Sequence, residues 1–205
     1  MKRFVKNRIM VFIIGALALV IVASMSHIHQ LNQYYQSHFG RKDSIYEPEQ
    51  WVQLGNNIVF IDTAPGYEVC LVSAEIYEFE DAIEKWASQI DGRSVSDQPE
   101  RVMDVILKVR NVDSNAAGIY LLDFQLHTIC MPTDMNIPLT TAVNGLPEDS
   151  LGIALPQGTE YTVHLIYNVR EQHFFDCWEA LDREKFYIQV TDSPVHQEIQ
   201  FMPIS

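Results

Sequence analysis

Two segments of this chain alternate between apolar and polar side chains, and this period of two is the feature that most constrains its fold. The segments run from residue 101 to 111 and from 159 to 170. Successive side chains of a strand point to opposite faces of a sheet, so each segment predicts a strand with one buried and one wetted face. The expected inward residues are Met103, Val105, Leu107 and Val109, and then Tyr161, Val163, Leu165, Tyr167 and Val169. The expected outward residues of the second segment are Thr162, His164, Asn168 and Arg170.

Further short segments have the composition of strands and are separated by Gly, Pro, Asn and Asp, the residues that tight turns favour. They cover residues 57–62, 68–77, 119–128, 185–191 and 195–202. About seven strands at this spacing predict an all-β domain, an immunoglobulin-like antiparallel β-sandwich.

One stretch, FEDAIEKWASQI, breaks the strand pattern and predicts a helical insertion of about three turns. Its apolar stripe consists of Phe79, Ile83, Trp86 and Ile90, and Asp81 with Glu84 is expected to cap its start. A second, shorter helical turn is expected over residues 175–182.

The N-terminal segment predicts one transmembrane helix that precedes the domain. An uncharged apolar run from Ile9 to Met25 follows four cations, which are Lys2, Arg3, Lys6 and Arg8. The length of this run is near the lower limit for a helix that crosses a hydrocarbon core of roughly 30 Å. It exceeds the length of the apolar region of a usual signal peptide. Cations on one flank stay cytoplasmic, so the N-terminus is expected inside and the rest of the chain outside.

The alternative to this signal anchor is a signal peptide that is cleaved near residues 23–26, where small residues occur. Either way, three regions are expected. Residues 1–26 form the basic flank and membrane segment, residues 27–50 a polar stalk, and residues 51–205 the extracellular domain.

Several motifs together resemble one known family. They are WVQLGN at residues 51–56, VILKVRN followed by DSNAAGIYLLDFQL, LPQGTEYTVHLIYNV at residues 155–169, and a terminal FYIQV segment. This pattern, after an N-terminal anchor, is similar to the telokin-like, immunoglobulin-type extracellular domain of unknown function in membrane-anchored surface proteins of Gram-positive bacteria. The resemblance covers residues 51–201 and implies a β-sandwich on the outer surface without enzymatic activity. The helical insertion before Asp91 departs from the family pattern.

The charge of the chain excludes nucleic acid as an expected partner. It has 14 Lys and Arg against 27 Asp and Glu, for a formal net charge of -13. Phosphate binding requires a basic patch, and none occurs beyond the first eight residues. The membrane, through the N-terminal helix, and a protein at the cell surface are the expected partners.

The three cysteines are Cys70, Cys130 and Cys177. By the period of two, Cys70 shares a strand face with Val72 and Ala74, so it is expected to be a small core residue. Cys130 and Cys177 lie in less regular segments, and a disulfide between them is one alternative.

A zinc site is a further alternative, because two His and two Cys have the donor types that tetrahedral zinc takes. The candidates are His127, Cys130, His173 and Cys177. The spacing does not match the paired cysteines of zinc ribbons, and His127 is expected on the outward face of its strand. The main expectation is therefore no metal and no other cofactor.

No catalytic motif is present in the sequence. There is no GxSxG nucleophile elbow, no phosphate-binding glycine loop and no EF-hand spacing. The expected function is a non-enzymatic interaction or accessory module tethered to a bacterial membrane. The alternative is an extracellular module that binds a small ligand or a metal.

The predicted topology can be tested with protease added to intact cells that express the full chain. Residues beyond 26 should be digested, because they lie outside, while the basic flank stays protected. Mass spectrometry of the undigested membrane-bound chain should still detect the peptides of residues 1–26. Recovery of the intact chain from the cytosol after fractionation would contradict the prediction, with a cytosolic enzyme as the control for lysis.

Overall fold

The structure is a computed structural model that describes residues 42–59, 63–113, 118–128, 132–148, 150–174 and 177–204. The basic flank, the apolar run and residues 27–41 of the expected stalk lie outside the described residues. In the ranges just given, no helix is long and apolar enough to cross a membrane.

The described chain consists mostly of strands with a few short helices, as the sequence predicts. The strands are β1 (Lys42–Tyr46), β2 (Val52–Gln53), β3 (Tyr67–Glu78), β4 (Arg101–Asn111), β5 (Ile119–Tyr120), β6 (Gln125–His127), β7 (Pro132–Thr133), β8 (Gly152–Ile153), β9 (Glu160–Val169), β10 (Phe186–Thr191) and β11 (Val195–Phe201). The α-helices are α1 (Phe79–Lys85), α2 (Ala87–Ile90), α3 (Ile137–Val143) and α4 (Glu171–Phe174). Short 3-10 helices cover Leu121–Asp123 and Trp178–Arg183, and the second overlaps the helical turn expected at 175–182.

The strands form three sheets. The five-stranded sheet has the order β1-β11-β10-β6-β7, the four-stranded sheet β2-β3-β4-β9, and β5 pairs with β8. The β1–β11 pair is parallel, whereas the other pairs between these strands are antiparallel. A wholly antiparallel arrangement was expected, and the parallel β1–β11 pair departs from it.

The inner faces of the two larger sheets share one hydrophobic core. The four inward residues predicted in β4 are all fully buried, and so are Val163, Leu165 and Val169 of β9. Leu126, Ile188 and Ile199 contribute from the five-stranded sheet. Tyr161 is an exception to the prediction, because 39% of it is exposed at the start of β9, where its hydroxyl donates to the Asn144 carbonyl.

A β-bulge in β3 overturns the predicted orientation of Cys70. The pairing with β4 shifts register between Leu71 and Ser73, so that Cys70 lies opposite Lys108 while Ala74 lies opposite Val105. The extra residue turns Cys70 to the outer face and leaves Ala74 in the core. Cys70 is nevertheless buried, and this burial raises the pKa of its thiol.

The helical insertion covers the predicted residues 79–90 but is interrupted and differently capped. It is interrupted at Trp86, so α1 and α2 replace a single helix of three turns, and the residue preceding α1, Glu78, makes no side-chain cap bond. Phe79, Ala82 and Trp86 pack with Val102, Leu139 and Ile166 on the outer face of the four-stranded sheet.

Helix α3, which the sequence analysis did not predict, covers the edge of β9. The Asn144 amide donates to the His164 carbonyl at 2.6 Å and accepts from the His164 N–H at 2.9 Å. The Thr140 hydroxyl accepts from the Ile166 N–H at 3.1 Å. These side chains replace a neighbouring strand, so the edge presents fewer unpaired groups for aggregation.

Three expected boundaries are corrected by the structure. Lys42–Tyr46, expected in the stalk, forms β1, because it pairs along β11, and the compact unit begins at Lys42. Of the strand expected over residues 57–62, the structure describes residues 57–59, and these do not form a strand. Ile58 makes only isolated bridges, with Thr63 and Ser193. The strand expected over 119–128 divides into β5 and β6 around the 3-10 turn.

Substituting Asn144 with Ala should lower the free energy of unfolding by about 2–4 kcal/mol, because two backbone groups of His164 lose their partners. Urea unfolding of the full-length protein in detergent, followed by tryptophan fluorescence, measures the change. Ser88→Ala is the control, since this exposed hydroxyl bonds only a neighbouring side chain, and its effect should stay within about 0.5 kcal/mol. Equal stabilities of the two variants would show that α3 does not hold the edge of β9.

Candidate functional site

The outer faces of the two larger sheets are covered unequally. In the part of the chain that the structure describes, the substantial helix contacts with long strands involve β3, β4 and β9 of the four-stranded sheet. The corresponding face of the five-stranded sheet carries a row of polar and aromatic side chains that are partly exposed. We call this surface the open face, and it consists of Ile45, Gln125, His127, Tyr187, Gln189, Glu198 and Gln200.

Strand register brings the side chains of the open face together. Gln189 lies opposite both Gln125 and Glu198, and Tyr187 lies opposite His127. The Tyr187 and His127 rings stack, with centroids 5.6 Å apart and planes inclined by 13°. At the rim, 61% of Ile45 is exposed on β1.

The carboxylate of Glu198 organises this face. His127 Nε2 lies 2.9 Å from Glu198 Oε1, and His196 Nε2 lies 2.5 Å from the same oxygen. A carboxylate oxygen accepts hydrogen bonds, so both imidazoles are expected to donate from Nε2. One acidic side chain on β11 therefore fixes two rings that belong to different strands.

The two histidines differ in their remaining nitrogens. His127 Nδ1 is 3.0 Å from the Thr128 carbonyl, so both of its ring nitrogens face oxygen atoms. The His196 side chain is 5% exposed, and its buried Nδ1 has no hydrogen-bond partner among the described residues; the Asp192 carboxylate lies 3.9 Å from this nitrogen. His196 is thus a supporting residue below the surface, whereas His127 is accessible from solvent.

The structure does not bring the described zinc candidates into one cluster. His127 contacts Glu198 as described, His173 lies in α4 beside Gln172, and Cys177 packs against the core. Cys130 lies outside the described residues, and so does any disulfide that it forms. Across the described ranges, no group of three or more His, Cys, Asp or Glu side chains is arranged to hold a metal ion.

A second histidine–carboxylate pair lies on the covered sheet. His164 Nδ1 is 3.0 Å from both carboxylate oxygens of Asp104, whose side chain is fully buried. The expectation that His164 lies on a wetted face is met only in part, because its side chain is 29% exposed and its ring pairs with the buried Asp104. The sequence signal that was missed is Asp104, a charged residue on the outer face of β4. That face is itself covered, so the charge does not mark a solvent-exposed face.

A cavity of about 360 Å³ lies beside the β5–β8 pair. Thr63, Tyr120, Asp123, Phe124 and Ile153 are among its lining residues. Tyr120 is 46% exposed. The volume is in the range of small-ligand sites, roughly 300–1,000 Å³. This cavity combines apolar walls with one carboxylate, which is the arrangement that the alternative ligand-binding function needs.

Comparison with known proteins identifies a family for most of the chain. Residues 44–197 match the model of a family described as Domain of unknown function (DUF5028). No curated protein matches the chain.

Two solved structures from Bacillus subtilis are similar at low identity. The first is ycdA, described as a candidate lipoprotein, with 10% identity over 74% of this chain and a TM-score of 0.43. The chain spans 39% of the length of ycdA. The second is the yjhA protein, with 8% identity, coverage of 76% of this chain and 98% of that one, and a TM-score of 0.42.

Replacing Glu198 with Ala should lower the free energy of unfolding by about 2–4 kcal/mol, because the buried Nε2–H of His196 loses its acceptor. Glu179→Ala, which removes an exposed carboxylate of the 3-10 turn, is the control and should change stability by less than about 0.5 kcal/mol. Urea unfolding of both full-length variants provides the measurement. An unchanged midpoint for Glu198→Ala would mean that the shared carboxylate does not organise the open face.

Proposed function

The chain belongs to the DUF5028 family, a domain of unknown function, and we propose that it is a non-enzymatic interaction module tethered to the outside of a bacterial membrane. Its partner in this proposal is a protein at the cell surface. The proposal combines the topology expected from the N-terminal sequence with one property of the described surface, the open face.

The topological part is supported by charge and hydropathy. Four cations precede the apolar run 9–25, and every acidic residue follows Gly40. Such an arrangement favours a single-pass anchor with the N-terminus inside and the acidic domain outside. The resemblance to surface proteins of Gram-positive bacteria supports the same localisation.

The finer fold in this proposal is an immunoglobulin-like, telokin-like β-sandwich. It is supported by the two larger sheets, whose inner faces share a single core. Asn111, the last residue of β4 and of the VILKVRN motif, supports it as well. Its amide donates to the Leu155 carbonyl at 2.7 Å and thereby joins β4 to the loop before β9.

The open face is the observation that carries the interaction function. Side chains that are already fixed lose less conformational entropy when a partner binds. Tyr187 and His127 are fixed by their stacking and by Glu198, and tyrosine combines a large apolar ring with a polar hydroxyl. The surface therefore offers rigid aromatic and polar contacts to a partner.

A small-ligand module is the second candidate function. The cavity beside β5 and β8 favours it, since Asp123 is largely buried there among apolar and aromatic residues. A buried carboxylate in such walls would select a cationic or hydrogen-bond-donating ligand.

Site-specific photo-crosslinking in the native cells tests the interaction function. A photo-crosslinking amino acid in place of Gln189, at the centre of the open face, should give a discrete adduct with a surface protein. The same amino acid in place of Ser88, an exposed residue of α2 on the covered side, should give none. Both full-length variants must reach the membrane in equal amounts, which immunoblotting of membrane fractions checks.

Two results would contradict the proposal. One is a lack of adducts from Gln189 and from a second open-face position, Gln125. The other is an adduct of equal yield from Ser88, because it would show that contact does not depend on the open face.

A further inference from the structure

Strand β1 forms one edge of the five-stranded sheet and has no second neighbouring strand among the described residues. Its five residues, Lys42–Tyr46, pair with β11 on the other side in an uninterrupted parallel register. The strand contains no proline and no bulge, two features with which natural proteins block such an edge. The N–H and C=O groups that point away from β11 can therefore pair with another extended segment.

The other edges of the two larger sheets are short or covered in the part of the chain that the structure describes. β2 and β7 contain two residues each, and β7 begins with Pro132. The edge of β9 lies under α3, whose Asn144 and Thr140 side chains bond the backbone of that strand. Within the described ranges, β1 is thus the longest uncovered edge of these sheets.

The sequence of β1 is complementary to itself in one register. When two identical strands pair antiparallel about a two-fold axis, one residue lies opposite its own copy. With Ser44 at the axis, Asp43 lies opposite Ile45 of the second copy, and no like charges face each other. With Ile45 at the axis, Asp43 would face Glu47, and with Asp43 at the axis it would face itself. Like charges that lie directly opposite are destabilising, so the register about Ser44 is favoured.

The proposed membrane tether favours a second copy as the occupant of this edge. β1 is the first described element after the apolar run, so every tethered copy presents it at a similar height above the membrane. A pair of five-residue strands buries less surface than a stable dimer in solution requires, and a net charge of -13 repels two copies. Attachment to one membrane offsets both effects, because it raises the local concentration of the chain.

We propose that two tethered copies pair through β1, antiparallel and with Ser44 at the two-fold axis, so that their five-stranded sheets join into one continuous sheet. The inference rests on the tether of the proposed function. It goes beyond that function, because the two open faces then lie on the same side of the joined sheet and form one surface for a partner.

Cysteine crosslinking of the full chain in its native membrane tests the pairing. Residues that face each other across antiparallel strands have Cα atoms about 4.5–5.5 Å apart, a distance that a disulfide spans. Under mild oxidation, Ser44→Cys should form a dimer at least about tenfold faster than Ser88→Cys, which places the thiol at an exposed position of α2. A non-reducing gel measures the dimer, and the wild type gives the background from the native cysteines.

Position 45 provides a matched pair of charge variants, because this 61% exposed residue lies opposite Asp43 in the proposed register. In the Ser44→Cys chain, Ile45→Asp should slow dimer formation roughly three- to thirty-fold, since two pairs of like charges then face each other. Ile45→Lys should not slow it, since opposite charges face each other instead. Chains with Ile45→Asp and chains with Asp43→Lys, distinguished by two tags, should recover the rate in the mixed dimer.

A second pair of positions covers the case in which Ser44→Cys impairs folding, which urea unfolding detects. Asp43 and Ile45 are both exposed, so cysteines there leave the core intact. Chains with Asp43→Cys should crosslink to chains with Ile45→Cys faster than either variant crosslinks to itself, because only the mixed pair lies directly opposite.

Three results would overturn the pairing. They are equal dimer formation by Ser44→Cys and Ser88→Cys, equal rates for the two charge variants at position 45, and a crosslink from β1 to a different protein. Fractionation separates this proposal from the tether on which it rests. A chain recovered from the soluble fraction overturns the tether, whereas a membrane-bound chain without the Ser44→Cys dimer overturns the pairing alone.

Discussion

The two-sided burial of β4 is the constraint on which the rest of the structure depends. Its inner face gives Met103, Val105 and Leu107 to the core shared with the five-stranded sheet. Its outer face gives Val102 to the helical cluster and holds Asp104 fully buried. The five-stranded sheet covers the inner face, and α1 and α3 cover the outer face, which gives the layered arrangement.

The sequence predicted the long strands that have a regular apolar inner face. β4 and β9 were identified because the core on their inner face imposes a period of two, and their predicted inward residues are buried except for Tyr161. The bulge in β3 was not predictable, because it depends on how many residues of β4 lie opposite the residues of β3. The composition of β3 does not reveal this number. α3 was missed for a related reason. Its sequence, IPLTTAV, is rich in residues with low helix propensity, and its hydrogen bonds to β9 stabilise it instead.

The candidate sites were less predictable than the fold, because they are assembled across strands. His127 was singled out for its spacing to Cys130, yet its partner is Glu198, which lies 71 residues further along the chain. This pairing depends on strand register, which local patterns do not encode.

In the proposed membrane-tethered state, the parallel pairing of β1 with β11 would have a mechanical consequence. The register runs without interruption from Lys42 opposite Val195 to Tyr46 opposite Ile199. Tension that enters at Lys42 and runs along β1 would load this row of hydrogen bonds in shear, so they would resist together instead of opening one after another. Because β11 also carries Glu198, the force would arrive directly at the strand that organises the open face. A pull on the tether and an occupied open face would therefore act on the same pair of strands.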